Sequence, residues 1–241
     1  MKTTLLILCL IILNVNCLNA QEVIIGKQVW MSKNLDVSTF RNGDEIAEAK
    51  NISELRSFYF KKTPAWCYYN FDPKNAIKYG KLYNCFAVDD KRGLAPEGYR
   101  IPSLYDFKIL VTSLSNKKFE TYQFDNYAVN LSCETAAKKL KSKTDWKKGR
   151  WGHPTYDANG NNSSKFNAFP AGYFWVCGYC DENDKDLGFK AYGSETKYWA
   201  SKYWYKDLGI YIRSSMHLLN TDVIFGTMND DYYYPVRCLK D

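Results

Sequence analysis

The sequence predicts an α+β fold in which helices come early and a strand-rich half comes late. Apolar residues recur at helical spacing after Ser103 and again over 131–141, whereas short aromatic runs follow residue 165. The 20 Tyr, 13 Phe and 7 Trp residues are spread from Trp30 to Tyr234, with no Pro-, Gly- or Ser-rich linker among them. We therefore expect one domain over residues 21–241.

The first twenty residues predict a secretory signal peptide. Lys2 supplies a basic start, residues 5–15 are almost entirely apolar, and small Ala20 precedes a cleavage point at Gln21. We therefore expect a protein that is secreted or held in the cell envelope, without a membrane span after cleavage.

Two alternatives to a cleaved leader are weaker. The apolar run is shorter than the roughly 20 residues that a membrane anchor needs. Cys17 as the acylated residue of a lipoprotein is the second alternative, but Asn14 and Asn16 stand where small or apolar residues are expected.

The early elements are short. Residues 23–31 read as a hairpin whose turn contains Gly26, and residues 42–44 (NGD) form a turn signal. Residues 52–60 fit a short helix or a strand, and the pattern does not separate the two. Residues 66–69 predict a strand that ends in a turn over 70–73.

Two helices follow. The first begins at Ser103, which is placed to cap it with Asp106 as the acidic partner of a capping box. Its apolar positions are Leu104, Phe107, Leu110, Val111 and Leu114. The second covers about 131–141, where Lys138, Lys139 and Lys141 are expected to face water.

The late half predicts short antiparallel strands after a polar loop at 157–164. The aromatic runs that predict them are 166–174, 197–205, 209–213, 223–225 and 232–239.

Composition argues against a nucleic-acid partner. The formal net charge is +7, one unit of which is Lys2 in the leader, and the only dense basic stretch lies at 138–148. Nucleic-acid-binding proteins concentrate their basic residues on one face. We interpret this stretch as a solvated helix face followed by a loop.

The cysteines predict disulfides. Cys9 and Cys17 lie in the leader, and the six that remain are Cys67, Cys85, Cys133, Cys177, Cys180 and Cys238. An even number in an exported chain favours disulfides, whose pairing the sequence alone leaves open. A zinc site is the rival, but one C-x-x-C pair and two histidines are too few ligands at the required spacing.

Seven blocks of sequence carry a resemblance to a known family. They are 25–35 (IGKQVWMSKNL), 66–70 (WCYYN), 79–84 (YGKLYN), 94–103 (LAPEGYRIPS), 166–173 (FNAFPAGY), 199–201 (WAS) and 235–241 (PVRCLKD). In this order they resemble the Fibrobacter succinogenes major paralogous domain over nearly the whole chain after the leader. The resemblance implies a C-type-lectin-like shape with paired terminal strands, two flanking helices and long irregular loops, on an exported bacterial protein.

The resemblance also suggests which cysteines pair. Cys67 and Cys238 lie inside matched blocks, so we expect a disulfide that ties an early strand to the last one; the alternative is that Cys238 is a buried small residue. Cys177 and Cys180 lie in an insertion relative to the family pattern, and we interpret them as a local disulfide.

No catalytic constellation is recognisable, and we expect a protein that is not an enzyme. His153 and His217 lack a nucleophile motif nearby. The alternative is an enzyme on the same scaffold. It would resemble either a formylglycine-generating enzyme that uses Cys177 and Cys180, or a hydrolase that uses a pair of acidic residues. The acids, Asp181, Glu182, Asp184 and Asp186, lie in one polar run that is more typical of a solvated loop.

No cofactor is expected, although calcium is an alternative for two loops. Hard oxygen ligands suit calcium, and they occur in the acidic run at 181–186 and around Gly160 in 157–161. The second loop lacks the distal Glu of an EF-hand.

The expected activity is binding of a glycan or an extracellular protein. Exposed Trp and Tyr side chains give large contact areas with a polar end. The candidates, which lie where lectin-like folds expose variable loops, are Trp175, Tyr179, Tyr203, Trp204 and Tyr205. A purely structural envelope protein is the remaining alternative.

Overall fold

The computed structural model describes residues 22–115, 133–147, 158–177, 187–205, 210–212, 214–218, 223–227 and 229–241. The helices in these ranges are α1 Ile52–Phe60, α2 Ala76–Tyr79, α3 Cys85–Val88, α4 Leu104–Leu114 and α5 Glu134–Leu140. The strands are β1 Glu22–Ile25, β2 Gln28–Met31, β3 Ala47–Glu48, β4 Ala65–Cys67, β5 Leu82–Asn84, β6 Tyr99–Arg100, β7 Tyr173–Trp175, β8 Gly188–Lys190, β9 Thr196–Trp199, β10 Tyr203–Tyr205, β11 Ile210–Ile212, β12 Ser214–Leu218, β13 Val223–Thr227, β14 Tyr232–Pro235 and β15 Leu239–Lys240. The predicted leader, 1–20, lies outside the described residues and stays a prediction.

The strands of the described residues form four sheets. The largest has the order β3-β4-β5-β14-β7-β8, and a second has the order β1-β2-β15-β6. Strands β13, β12 and β9 form a third, and β10 pairs with β11. Most pairs are antiparallel; β3 and β4 run parallel. The fold is therefore mixed α+β, as the sequence predicts.

The predicted N-terminal hairpin is present and joins the end of the chain. Strands β1 and β2 pair around a turn in which Gly26 has a φ of +61°, a conformation that glycine adopts without steric cost. Strand β15 adds to β2, with Leu239 opposite Trp30. The second strand of the hairpin, rather than the first, thus pairs with the last strand.

The predicted capped helix is confirmed. The Ser103 side chain accepts a hydrogen bond from the amide of Asp106, and the Asp106 carboxylate accepts one from the amide of Ser103, which completes a capping box. Helix α4 buries Phe107, Leu110, Val111 and Leu114 in a core that also contains Trp30, and half-buried Leu104 packs against that core. The ambiguous segment 52–60 is helical, and Asn51 caps it.

The second predicted helix is shorter than expected. Helix α5 begins after Cys133, and its buried residues are Ala136, Ala137 and Leu140. Lys141 was expected to face water, but it is buried, and its ammonium donates to the carbonyl oxygen of Ala158 at 2.6 Å. It follows the last helical residue, so the helical spacing that placed it on the outer face no longer applies.

The six-stranded sheet is buried on both faces. On one face Cys67, Phe174 and Tyr233 pack with Leu55 of α1. On the other face Tyr83 and Tyr234 pack in a second cluster. This division follows from the alternation of side chains along each strand.

Arg237 is fully buried between the two ends of the chain. Its guanidinium donates to the carbonyl oxygens of Met31 and Phe166 and lies 4.4 Å from the centre of the Phe166 ring. Burial lowers the pKa of this guanidinium. No carboxylate of the described residues pairs with it, so neutral acceptors hold its charge.

The predicted Cys67–Cys238 disulfide is wrong. Neither residue is disulfide-bonded, nor are Cys85 and Cys133, and all four are buried. Cys67 packs with Phe174 and Tyr233, whereas Cys238 packs in the cluster of the opposite sheet face. Each acts as a small apolar residue.

Cys177 is disulfide-bonded. Its predicted partner, Cys180, lies outside the described residues, so that pairing stays a prediction. No helix in the described ranges is both long enough and apolar enough to cross a membrane.

Candidate binding face on strands β7 and β14

The five residues predicted to bind a ligand fall into three groups. Trp175 ends β7 and is half-buried. Tyr203, Trp204 and Tyr205 form β10, whose side chains lie outside the described part of the structure. Tyr179 lies outside the described residues altogether. The geometry around Trp175 is therefore the part of the prediction that can be examined.

Trp175 belongs to an aromatic surface built by two neighbouring strands. Strands β7 and β14 are antiparallel, and Trp175 lies opposite Tyr232. Side chains alternate along a strand, so Tyr173 and Tyr234 point the same way as this pair. We call these four residues, Tyr173, Trp175, Tyr232 and Tyr234, the aromatic face.

Three rings of the aromatic face stand nearly parallel. The Trp175 and Tyr232 rings lie 6.2 Å apart at 14°, and the Tyr232 and Tyr234 rings lie 5.2 Å apart at 18°. Tyr173 presents its ring edge-on to both tyrosines. Trp175 and Tyr232 are half-buried whereas Tyr234 is buried, so the row leads from the surface into the core.

Asp231 holds the outer end of the row. Its Oδ2 atom accepts a hydrogen bond from Nε1 of Trp175 at 2.8 Å, and its carbonyl oxygen accepts one from the amide of Val176 at 2.8 Å. These two bonds fix the indole ring against the sheet. The other carboxylate oxygen, Oδ1, is buried and has no hydrogen-bond partner among the described residues.

The inner end of the row also carries a polar atom without a partner. The hydroxyl of Tyr234 is buried and makes no hydrogen bond within the described structure. Burial raises the pKa of Tyr234 well above its ordinary value. The hydroxyl therefore stays protonated and keeps its proton available for donation.

Lys197 covers the aromatic face from strand β9. Its ammonium lies 4.1 Å from the centre of the Tyr173 ring and 3.9 Å from Oε2 of Glu195. Burial lowers the pKa of Lys197, and the Glu195 carboxylate opposes that shift. A cation over the face of an aromatic ring is attracted by the ring's electrons, which explains how this buried ammonium is accommodated.

The described residues do not build a metal centre. They contain no group of three or more His, Cys, Asp or Glu side chains placed to hold an ion. In the loop considered for calcium, Oδ1 of Asn159 and Oδ1 of Asn161 accept backbone hydrogen bonds from Trp146 and Ser163. Asp157 and the acidic run 181–186 lie outside the described residues, as do the side chains of His153 and His217.

The sequence did not point to Asp231, Tyr232, Tyr234 and Lys197. A usable signal exists in Asp230–Tyr234 (DDYYY), where acids precede three consecutive tyrosines. A strand there necessarily places two of the tyrosines on one face. Strand β7 lies beside β14 because the two strands pair in the folded protein. Sequence periodicity does not reveal such a pairing.

Comparison with known proteins identifies one relationship. The family model described as Fibrobacter succinogenes major domain matches residues 23–240. No curated protein and no solved structure matches the chain.

Proposed function

The chain belongs to the Fibrobacter succinogenes major domain family, and from that premise we propose that it is an exported, non-catalytic binding module with a C-type-lectin-like fold. It serves in the cell envelope or outside the cell and binds a glycan or an extracellular protein. The ligand contacts the aromatic face.

One observation carries the binding role: the hydrogen bond between Trp175 and Asp231 at the half-buried end of β7. The bond holds the indole ring in one orientation beside the ring of Tyr232. Here the carboxylate fixes the indole while its second oxygen stays unpartnered within the described structure. Rigid aromatic side chains beside a buried hydrogen-bonding atom are typical of ligand sites.

The lectin-like shape is supported by the arrangement of the chain ends. Strand β15 pairs with the N-terminal hairpin, and helices α4 and α5 pack together on the core that contains Trp30. Between α5 and β7, the described residues contain few regular elements. This order of elements is the one that the resemblance implies.

The state of the cysteines supports a role without catalysis. A catalytic thiol needs a low pKa and access to substrate. Burial raises the pKa of Cys67 and raises that of Cys238 to about 12, so neither supplies a thiolate at neutral pH. Cys177, the insertion cysteine that the structure describes, is disulfide-bonded and thus not a free nucleophile.

The binding role is tested with the purified protein on a glycan array and in pull-downs from culture supernatant and isolated envelopes. We expect a reproducible ligand for the wild type and a loss of at least tenfold in signal for Trp175→Ala. Tyr105→Ala is the matched control, because Tyr105 is 70% exposed on α4 and remote in sequence from the aromatic face. If both variants bind the ligand equally well, the aromatic face is not the binding site.

Export is tested separately. Cell fractionation and N-terminal sequencing should place the protein outside the cytoplasm with Gln21 as its first residue. A cytoplasmic protein that retains residues 1–20 would contradict this part of the proposal.

A further inference from the structure

Two asparagines in the chain are followed by glycine: Asn42 precedes Gly43, and Asn159 precedes Gly160. An asparagine side chain can react with the backbone nitrogen of the next residue, and glycine hinders that approach least because it has no Cβ atom. Both pairs lie in the described residues. They differ in the two properties that govern this reaction, which are exposure to water and freedom of the backbone to rotate.

The Asn42–Gly43 pair lies at the tip of a short surface loop. Asn42, Gly43 and Asp44 are all exposed, and Gly43 has a φ of +91°. A Cβ atom placed on Gly43 would meet no atom within 4 Å. The described structure thus leaves room beside this backbone for the rotation that brings the Gly43 nitrogen to the Asn42 side chain.

Two hydrogen bonds of this pair stay within the loop. The Gly43 amide donates to the carbonyl oxygen of Phe40 at 2.9 Å, and the Asp44 amide donates to Oδ1 of Asn42 at 3.1 Å. The first bond has to open before the Gly43 nitrogen can react, and this opening is local to one turn. The second bond polarises the side-chain carbonyl and stabilises the negative charge that develops on Oδ1 during the attack.

The Asn159–Gly160 pair is held by more distant parts of the chain. The Gly160 amide donates to the carbonyl oxygen of Ser142 at 2.8 Å, and Oδ1 of Asn159 accepts from the amide of Trp146 at 3.1 Å. A Cβ atom on Gly160 would lie 2.2 Å from the carbonyl oxygen of Lys141. Rotation at this pair requires its packing against the segment after α5 to separate, so the folded protein protects Asn159.

We propose that Asn42 is a site of spontaneous covalent modification, at which the side-chain amide is lost through a five-membered cyclic imide formed with Gly43. The Gly43 nitrogen gives up its proton and attacks Cγ of Asn42; a C–N bond forms, and the side-chain nitrogen leaves as ammonia. Water then adds to one of the two imide carbonyls and breaks one C–N bond of the ring. The product at position 42 is aspartate or isoaspartate, and water is the only co-reactant. This inference does not depend on the binding role.

Either product changes the loop. A carboxylate at position 42 adds a negative charge next to Asp44, which pairs with Arg92 at 3.0 Å. Isoaspartate also adds a methylene group to the main chain between Phe40 and Asp44, where the Phe40 amide donates to the Asp44 carbonyl oxygen at 2.8 Å. The reaction therefore alters both the charge and the backbone of this surface loop without an enzyme.

The test follows both asparagines in the purified protein during incubation at pH 8.5 and 37 °C in water labelled with oxygen-18. Peptide mass spectrometry measures the reaction, because hydrolysis of the imide inserts one labelled oxygen, and chromatography separates isoaspartate from aspartate. We expect the native protein to react at Asn42 at least tenfold faster than at Asn159. In guanidinium the two rates should come within threefold of each other, because the packing around Gly160 is then lost.

Variants connect the rate to the named residues. Gly43→Ala places a methyl group beside the reacting nitrogen and should slow the reaction at Asn42 at least tenfold, with folding checked by circular dichroism. Gly98→Ala is the matched control, because Gly98 also has a positive φ and no atom within 4 Å of an added Cβ. It should leave the rate at Asn42 within twofold of wild type.

Three outcomes overturn the inference. The first is a native protein in which Asn159 reacts as fast as Asn42. The second is an incubated wild-type protein without isoaspartate at position 42. The third is a folded Gly43→Ala variant that reacts at Asn42 as fast as the wild type. The first two comparisons use the wild type alone, so they decide the question even if the variant does not fold.

Discussion

Nε and Nη2 of Arg237 both donate to Oδ1 of Asn34, at 3.0 and 2.6 Å, and so join two residues that are 203 positions apart in the sequence. Asn34 in turn donates to the carbonyl oxygen of Tyr79 at 2.8 Å. The segment after the N-terminal hairpin, the turn after α2 and the last segment of the chain are thereby connected through one buried amide.

Replacing Arg237 by Met should therefore lower the free energy of unfolding by about 3 kcal/mol or more, because several buried acceptors lose their donor at once. Urea denaturation measures the change. Arg92→Met is the matched control: Arg92 pairs with Asp44 and Asp90 at the surface, where ion pairs add little. An equally small effect of both substitutions would contradict the structural role of Arg237.

The thiols provide a second prediction. Because Cys67, Cys85, Cys133 and Cys238 are buried reduced thiols, the native protein should not react with Ellman's reagent at these positions at pH 8. Unfolding in guanidinium without reductant should expose all four to alkylation, as counted by peptide mass spectrometry. Recovery of a peptide that links Cys67 to Cys238 would show that the two are bonded after all.

The capping box predicts a dependence of stability on pH. Burial acts to raise the pKa of Asp106, but hydrogen bonds from Arg100 and Ser103 outweigh it, so the pKa lies below its ordinary value. A carboxyl group with a lowered pKa in the folded state stabilises the fold fully above its unfolded pKa of about 3.9. That stabilisation is lost as the pH falls through the folded pKa.

Asp106→Asn should accordingly destabilise the protein at pH 7, and the difference from wild type should shrink as the pH approaches 3. Urea unfolding at a series of pH values measures it. Glu97→Gln, at an exposed position, should show no such convergence. A difference that stays constant from pH 7 to pH 3 would mean that the Asp106 charge does not contribute.

Gly160 is required by close packing. A Cβ atom at this position would lie 2.2 Å from the carbonyl oxygen of Lys141, a backbone atom that the neighbouring chain holds in place. Gly160→Ala should cost at least about 2 kcal/mol of stability. Gly98→Ala meets no atom within 4 Å and should cost only about 1 kcal/mol, from its φ of +76°. Thermal unfolding compares the two, and the reverse order would be inconsistent with the packing at Gly160.

Local signals predicted the helical part of the fold well. The cap at Ser103 and the apolar spacing to Leu114 predicted α4 and its N-cap, because both are properties of consecutive residues. The hairpin at Gly26 was predicted for the same reason. The segment 52–60 remained ambiguous because its apolar residues fit two periods, and its packing against β4 selects the helix.

Non-local features were not predictable in the same way. The Cys67–Cys238 pairing failed because the presence of cysteines in two matched blocks does not reveal on which sheet face each one lies. Trp175 was predicted as a site residue from its type alone, but Asp231 and Lys197 reach the aromatic face from segments far from β7 in sequence. The runs 166–174 and 197–205 were too long as strands, because loops with positive φ at Asn167 and Gly172 interrupt the first.

The alternation along β14 has a consequence for how this protein can change. Tyr233 packs in the core cluster on one face of the sheet, whereas Tyr232 and Tyr234 lie on the opposite face, although the three are adjacent in sequence. A substitution at half-buried Tyr232 therefore leaves the cluster around Tyr233 intact, whereas a one-residue insertion would move each tyrosine to the opposite face of the sheet. Strand β14 thus tolerates replacement at Tyr232 more readily than any change in its length.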